Sequence, residues 1–339
     1  MSVEAACAAH EDARDMRLAV LDEFRRLVPF DAFAWLLTDP ESEVGTAPIA
    51  DVPCLPELPR LIRLRYASSA NRWTSQPQRV AALAGATICG LEDSPMWRDM
   101  LRSYGVTDIA SMVFRDRFGC WAFLDLWRIG GTFTAAEIRL LDGAVEFVTE
   151  SLRRCALRTF ELSDTQVPTQ RHGASVVLLR GDLSLRAQTA ETEIYLRAIV
   201  PSEHDRPAIP AAAYNVGAQL LAIEDGVDRH PPTARVHLGG GSWVTLRASR
   251  IDDGIAVTIA PSTSTERIDL FCRAAGLTRR ETELVCKLAT GVDTRAVAAE
   301  MFLSTHTVQD HLKSIFAKTR ASSRRDLIAR AAGRWSHHS

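Results

Sequence analysis

The chain has 339 residues, 46% of them apolar, and its 40 Lys and Arg against 42 Asp and Glu leave a formal charge of −2 at pH 7. That is enough for two or three globular units, and the near-neutral balance of the whole chain points to no polyanion partner. No apolar run is long enough to span a bilayer, Met1 to Asp15 is polar and acidic rather than a leader, and seven single cysteines without a C-x-x-C pair read as buried thiols of a reduced, cytoplasmic protein, not as a disulfide framework or a zinc site.

The first 160 residues open with a predicted helix near Ala13–Val28. The β-run F-D-A-F-A-W-L-L-T follows, turned by Asp39-Pro40-Glu41-Ser42 into a second strand region that ends at Pro53. Pro56–Ala67 and Pro95–Tyr104 read as helices, and Ile109–Phe114 and Cys120–Trp127 as strands around the turn Arg117-Phe118-Gly119. Phe133-Thr134-x-x-Glu137 is a helix start, and Leu140, Leu141, Val145, Phe147, Val148 and Leu152 are the apolar positions of the long amphipathic helix it opens. This order of elements, with the closing strand-to-F-T-x-x-E transition, resembles a GAF sensor domain over residues 1–160.

Glu161 to Gly173, with Asp164-Thr165-Gln166 and Pro168, reads as a linker. Beyond it come strands Ala174–Leu179 and Leu183–Gln188 around Gly181-Asp182, a helix Glu191–Ile199, a Pro-rich loop and a helix near Ala213–Ala222. A hairpin Ala234–Leu238 to Ser242–Ser249 turns at Gly239–Gly241, and Ile255–Ala260 closes the region. The tri-glycine opens a strand and lacks a following Lys-Ser/Thr, so a hairpin turn is favoured over a phosphate cradle. The order resembles a small PAS-like sheet over residues 173–262. No internal repeat is evident. Pro261 to Thr265 reads as a second linker, leading to Ile268–Ala275.

Residues 277–328 read as four short helices. Thr278-x-x-Glu281 is a capping box, Leu284, Val285 and Leu288 recur at helical spacing, and Gly291 supplies the left-handed residue that ends the first helix. Asp293 or Thr294 can cap a second helix with Val297, Ala298 and Met301 inward. Ser304 caps a third, in which Val308, Leu312, Ile315 and Phe316 form one apolar stripe and His306, Gln309, Asp310 and Lys313 face the other way. Ser323 caps a last helix through Leu327, Ile328 and Ala331. The turn Phe302-Leu303-Ser304 is short enough for a helix-turn-helix.

Gly291, Val297-Ala298, Leu303-Ser304, Thr307-Val308, His311-Leu312, Ile315 and Lys318 together resemble the C-terminal DNA-binding domain of the LuxR/NarL family of bacterial transcription regulators, placed at 268–335. Gly276-Leu277-Thr278-Arg279-Arg280-Glu281 matches that family's entry motif, with Arg279 where Pro is usual. Gln309 stands where Lys is frequent, Asp310 follows it, and Lys318-Thr319 replaces Lys-Leu, which leaves the DNA sequence read undetermined. The resemblance implies an α+β, multidomain, one-component regulator that binds double-stranded DNA, presumed a homodimer on two-fold half-sites, with a small-molecule or protein signal acting on residues 1–262. It implies Gln309, Asp310 and Lys313 as base readers and Thr305, Thr307, Lys318 and Arg320 as phosphate contacts. Ser304, Val308, Leu312 and Ile315 hold the fold, as does His311, which is expected to be hydrogen-bonded at the edge of the stripe.

Charge agrees with this reading. Residues 277–339 hold 11 basic and 6 acidic side chains, a net of +5, whereas the other 276 residues hold 29 basic and 36 acidic, a net of −7. All three lysines, Lys287, Lys313 and Lys318, lie in the basic segment, and a phosphorylated receiver lacking any Lys is nearly excluded. The alternative is a ligand-binding scaffold whose helical tail contacts protein. No hydrolase, metalloprotease or nucleotide-loop motif appears, so no catalysis, metal or cofactor is expected. Trp35, Trp121, Trp127 and Phe123 could line a pocket but read first as core, and His337-His338 reads as a loose end rather than a ligand pair.

Overall fold

The computed structural model describes residues 2–86, 91–161, 174–199, 210–239 and 241–333. Most of the expected Glu161–Gly173 linker lies outside them, as do Cys89, Gly240 and the His337-His338 pair.

The first unit runs α1 (Val3–Ala9), α2 (Ala13–Leu27), β1 (Ala32–Thr38), β2 (Gly45–Asp51), α3 (Leu58–Ala67), β3 (Val80–Ala82), α4 (Leu83–Ala86), α5 (Pro95–Asp99), β4 (Asp108–Asp116), β5 (Gly119–Arg128) and α6 (Ala135–Arg158). Its strands make one antiparallel sheet in the order β2-β1-β5-β4-β3. Strand side chains alternate between faces. Phe33 and Trp35 of β1 therefore join Leu124 and Leu126 of β5 in a core closed by Met16, Val20 and Phe24 of α2 and Leu141, Val145 and Val148 of α6. Ala32 and Trp127 point to the opposite face, against Leu61, Met96 and Leu101. With both faces covered, β1 and β5 read as almost unbroken apolar runs.

The second unit runs β6 (Ser175–Leu179), β7 (Leu185–Gln188), α7 (Thr192–Ile199), α8 (Ala211–Glu224), β8 (Thr233–Gly239), β9 (Ser242–Ile251) and β10 (Gly254–Pro261), with sheet order β7-β6-β10-β9-β8. Counted from its own first strand, each sheet reads second, first, fifth, fourth, third. The two units thus share one topology with no repeat visible in the sequence. All four residues of the edge strand β7 are exposed. Helix α8 is apolar all round: ten of its residues are buried, including Tyr214, Asn215 and Gln219. One side packs on its own sheet through Val216 and Ala218, while the other lies on α3 and β2 of the first unit.

The third unit is helical: α9 (Ser264–Ala274), α10 (Arg279–Ala289), α11 (Thr294–Glu300), α12 (Thr305–Thr319) and α13 (Arg324–Ala332). Its core gathers Phe271, Leu284, Leu288, Val297, Val308, Ile315 and Leu327.

Several expectations change. Pro261–Thr265 is no linker: Pro261 ends β10, and Thr263 with Glu266 forms the capping box of α9. Leu140 and Phe147 are 53% and 46% exposed, because the buried stripe of α6 runs one position later, through Leu141, Val145, Val148 and Leu152. The short strand β3 and helix α1 had no signal strong enough to mark them. Pro95–Tyr104 divides into α5 and a short 3-10 turn at Leu101–Tyr104. The glycine hairpin holds: Gly239 and Gly241 have φ of 95° and 73°, and Gly239 pairs with Ser242. The four named aromatics are core, with Trp35 fully buried and Trp121, Trp127 and Phe123 nearly so.

Candidate nucleic-acid interface

The turn into α10 is fixed by a reciprocal cap. The Glu281 N–H donates to Thr278 Oγ1 at 3.3 Å, and the Thr278 N–H donates to Glu281 Oε2 at 2.7 Å. Glu281 does more than cap. It is 3% exposed, and its carboxylate accepts from Ser314 Oγ at 2.6 Å and from Lys318 Nζ at 2.6 and 2.9 Å, both on α12. Burial works against its charge, but Lys318, Ser314 and the Thr278 donors outweigh it and hold the carboxyl at about 2. This one side chain thus fixes α12 against α10.

Gly291 follows the cap residue Thr290 with φ of 89°, a left-handed conformation that would strain any other side chain, although there is room for one. The Arg324 guanidinium donates to the carbonyls of Val292 and, at 3.4 Å, of Leu288, which also accepts the Gly291 N–H at 3.2 Å; Arg324 thus ties α13 to the end of α10. Asp293, Ser304 and Ser323 each cap the next helix. The Thr307 N–H donates to Ser304 Oγ at 3.0 Å. Phe302 sits in the turn between α11 and α12 with φ of 55°, its ring 95% exposed.

In α12, Val308, Leu312 and Ile315 are buried against the core, so His306, Gln309, Asp310 and Lys313 are turned to solvent. The exposed side chains form a small charge ladder: Lys313 Nζ lies 3.3 Å from Asp310 Oδ1, and His306 Nε2 lies 3.6 Å from Asp310 Oδ2. Asp310 is therefore partnered on its own helix rather than left as a bare negative charge. Helix α12 packs on α10 and α11, and its outward face stands clear of both sheet units.

The sequence-derived site residues divide unequally on this surface. Thr305, Gln309, Asp310, Lys313 and Arg320 are exposed, Arg320 at the left-handed C-cap of α12 with φ of 53°. Lys318 is not a free cation, because its ammonium is held by Glu281. The Thr307 hydroxyl lies 2.9 Å from that of Ser304, within the cap. His311 is half-buried and, contrary to expectation, its ring has no hydrogen-bond partner among the described residues. The Glu281–Lys318–Ser314 link was missed. Its signal was Glu281 doubling as a cap with Lys318 pointing back along α12, which only the helix packing reveals.

Of the cavities among the described residues, two lie at junctions between units. One, of about 190 Å³, lies between the first sheet and α3 and is walled by Ala211 and Asn215 of α8. The other, of about 490 Å³, lies where the three units meet. No group of metal-ligating side chains occurs among the described residues, and no described helix is long and apolar enough to cross a membrane.

Residues 275–331 match the family described as bacterial regulatory proteins, luxR family. The chain is similar to the transcriptional regulatory protein UhpA of Salmonella typhimurium, 30% identical over 141 residues, 41% of this chain and 63% of that protein. It is also similar to the probable transcriptional regulatory protein NarL of Mycobacterium tuberculosis, 27% identical over 139 residues, 41% of this chain and 60% of that one. The chain thus spans about three fifths of the length of these relatives. Among solved structures, a bacteriophytochrome, RpBphP3 of R. palustris, aligns over 76% of this chain and 61% of its own at 13% identity, with a TM-score of 0.30.

Proposed function

We propose that this chain, whose residues 275–331 form a LuxR-family domain, is a sequence-specific DNA-binding regulator of transcription that sets α12 in the major groove. The observation that carries the reading is the outward face of α12: an exposed, polar and cationic helix surface on a domain with its own core, within a segment of net charge +5 attached to a remainder of net −7. Gln309 can bond adenine bidentately, its amide NH2 donating to N7 and its oxygen accepting from N6, and Lys313 can donate to guanine, each worth roughly 1–3 kcal/mol of discrimination. Asp310, tied to Lys313 and His306, accepts from a cytosine amino group or orients Lys313. Thr305 and Arg320 contact phosphate, and Thr307 does so through its cap position. Lys318 holds α12 rather than DNA. The protein acts in the cytoplasm as a homodimer, since one helix reads only a few base pairs, and the GAF-like and PAS-like units receive a small-molecule or protein signal.

The test is fluorescence anisotropy of the full-length protein on duplexes selected from random sequence and on their scrambled counterparts, at several salt concentrations. A selected duplex should bind at least 1,000-fold more tightly than its scramble, an order-of-magnitude expectation for specific readers. Affinity for both should fall as salt rises, through counterion release. Absence of any salt-sensitive retention on DNA would leave the rival reading, a scaffold whose helical unit contacts protein.

A further inference from the structure

The cavity where the three units meet has features that DNA binding does not explain. Its walls come from every unit: α2 and β1 of the first, Val236, His237 and Trp243 of the second, Leu152 and Cys155 of α6, and Leu270 of α9. At about 490 Å³ it is within the range of small-molecule sites.

Arg17 lines it. This side chain is 3% exposed, yet among the described residues no carboxylate pairs with it. Among those residues its guanidinium donates to backbone carbonyls alone, from Nε to Ala13 O at 3.1 Å and from Nη1 to Trp35 O at 3.0 Å and Ala47 O at 2.9 Å. A buried guanidinium is ordinarily matched by an anion, because carbonyl dipoles return only part of its lost hydration. The other charges around the cavity are accounted for. Arg158 pairs with Glu11, Arg235 with Asp39, and Asp12 accepts the Arg14 and Asp15 N–H groups as the cap of α2, while Arg14 and Glu161 are exposed. Burial, with Arg14 nearby, pushes the Arg17 guanidinium down to about 9, so it keeps its charge at neutral pH.

Two more nitrogens on the second unit are buried without partners, Trp243 Nε1 and His237 Nε2. Burial pushes His237 down to about 4, with Arg267 adding to the effect, so the ring is neutral at pH 7. Buried polar groups are nearly always hydrogen-bonded. Here a cation bonded to carbonyls but not to a carboxylate among the described residues shares one cavity wall with Trp243 and His237, whose Nε1 and Nε2 lack partners, among apolar residues such as Trp121, Leu152 and Leu270.

We infer that this cavity binds a small organic anion: a carboxylate or phosphate head held by Arg17, with Trp243 and His237 as additional polar contacts, on an apolar body. The two N–H groups of Arg17 Nη2, which those carbonyls leave over, can donate to either oxyanion. The occupant would touch all three units together, so it is also a means by which a signal reaches α9. That regulatory sense rests on the proposed DNA-binding function, whereas binding itself does not.

Isothermal titration calorimetry on the full-length protein, without DNA, tests the site with three probes: 2-naphthoate, its neutral amide 2-naphthamide, and inorganic phosphate. Naphthoate should bind at least tenfold more tightly than the amide, Arg17→Gln should erase that preference, and Trp243→Phe, which keeps the aromatic contact, should weaken naphthoate several-fold. Phosphate binding without naphthoate binding supports the anion site and assigns it a phosphate head. Equal affinity for naphthoate and amide, binding of neither anion, or affinities unchanged in both variants would overturn the inference. If Arg17→Gln fails to fold, Trp243→Phe and the anion–amide comparison still decide. A failed DNA test with intact anion binding would remove the regulatory reading alone.

Discussion

The two junctions in this molecule are built differently. Between the first and second units, the contact continues the core: Leu36, Tyr66 and Trp73 of one join Ala213, Val216 and Ala218 of α8 in a single apolar cluster. Buried ion pairs are set into it. Arg72 bonds Asp228, which also accepts from Thr74 Oγ1 at 2.8 Å, and Arg235 bonds Asp39 at 2.6 and 2.8 Å. The third unit has a core of its own, capped by Phe160, just past α6, which stacks on Trp243 of the second unit at 5.1 Å between centroids. Ala274 of α9 enters the first unit's core, and polar contacts complete the junction, Arg267 to Gly241 O at 2.7 Å and Arg235 to Asp269 at 2.7 Å. The first junction is a weld and the second a fitting. Residues 1–262 should therefore respond as one body, and the helical unit should be able to part from it.

The largest expected effect is on the weld. Arg72→Ala leaves the Asp228 carboxylate with less of its compensation and should cost about 3–5 kcal/mol in urea unfolding of the full chain. Burial opposes the charge of Asp228, but His230 and Arg72 outweigh it and depress the carboxyl well below its ordinary 3.8. A depressed carboxyl stabilises the fold above its ordinary pKa, and that contribution is lost as pH falls below it. The deficit of Arg72→Ala should thus shrink below about pH 4. A deficit that held steady into acid would mean that packing, not charge, makes the weld.

Next in size is Gly45→Val. A Cβ there would lie 2.5 Å from Leu36 Cδ2 and 3.1 Å from Asn215 Nδ2, where Asn215 donates to Gly45 O at 2.9 Å. Overpacking of this kind costs typically 1–3 kcal/mol. Its mark should be a second unfolding transition, detected by comparing tryptophan fluorescence with circular dichroism, as α8 lifts from β2.

Within the helical unit, Glu281→Gln should cost about 1.5–3 kcal/mol at pH 7, the range for hydrogen bonds to a charged group. Since Glu281 is held at about 2, the difference from wild type should persist at pH 5 and diminish as pH falls from 4.5 toward 2. Thr263→Ala should cost about 1 kcal/mol in an isolated fragment 262–333. That fragment should fold alone, with helical circular dichroism and a cooperative melt; a molten fragment would show that the fitting is a weld as well. The smallest stability effect belongs to Gln309→Ala, within about 0.5 kcal/mol. It should still relax base preference at one operator position while leaving random-sequence binding intact.

The contrast between junctions also marks where the sequence was legible. The helical unit could be read almost residue by residue, because caps and stripes are local: Thr278, Asp293, Ser304 and Ser323 each lie within three residues of the groups they satisfy. The strands other than β3 were found as well, but not their common order, since pairing such as Trp35 with Leu124 joins residues far apart in the chain. Leu140 and Phe147 failed because α6 has more apolar residues than its buried face takes. Arg17, Arg72 and Arg235 carried no signal at all, for a buried arginine is spelled like an exposed one. Nor does the sequence pair Lys318 with Glu281, 37 residues away.

The exposed edge strand of the second sheet bears on solubility. An unpaired strand edge offers N–H and C=O groups on which another chain can build, the route by which folded proteins stitch themselves into fibres. A formal charge of −2 gives this protein little mutual repulsion to prevent that. Strand β7 meets the hazard by being poor material: four residues long, with a slip in register at Leu178–Leu179 and with Arg186 3.5 Å from Asp253 at its rim. Lengthening or smoothing that strand should make the protein more prone to gel on concentration.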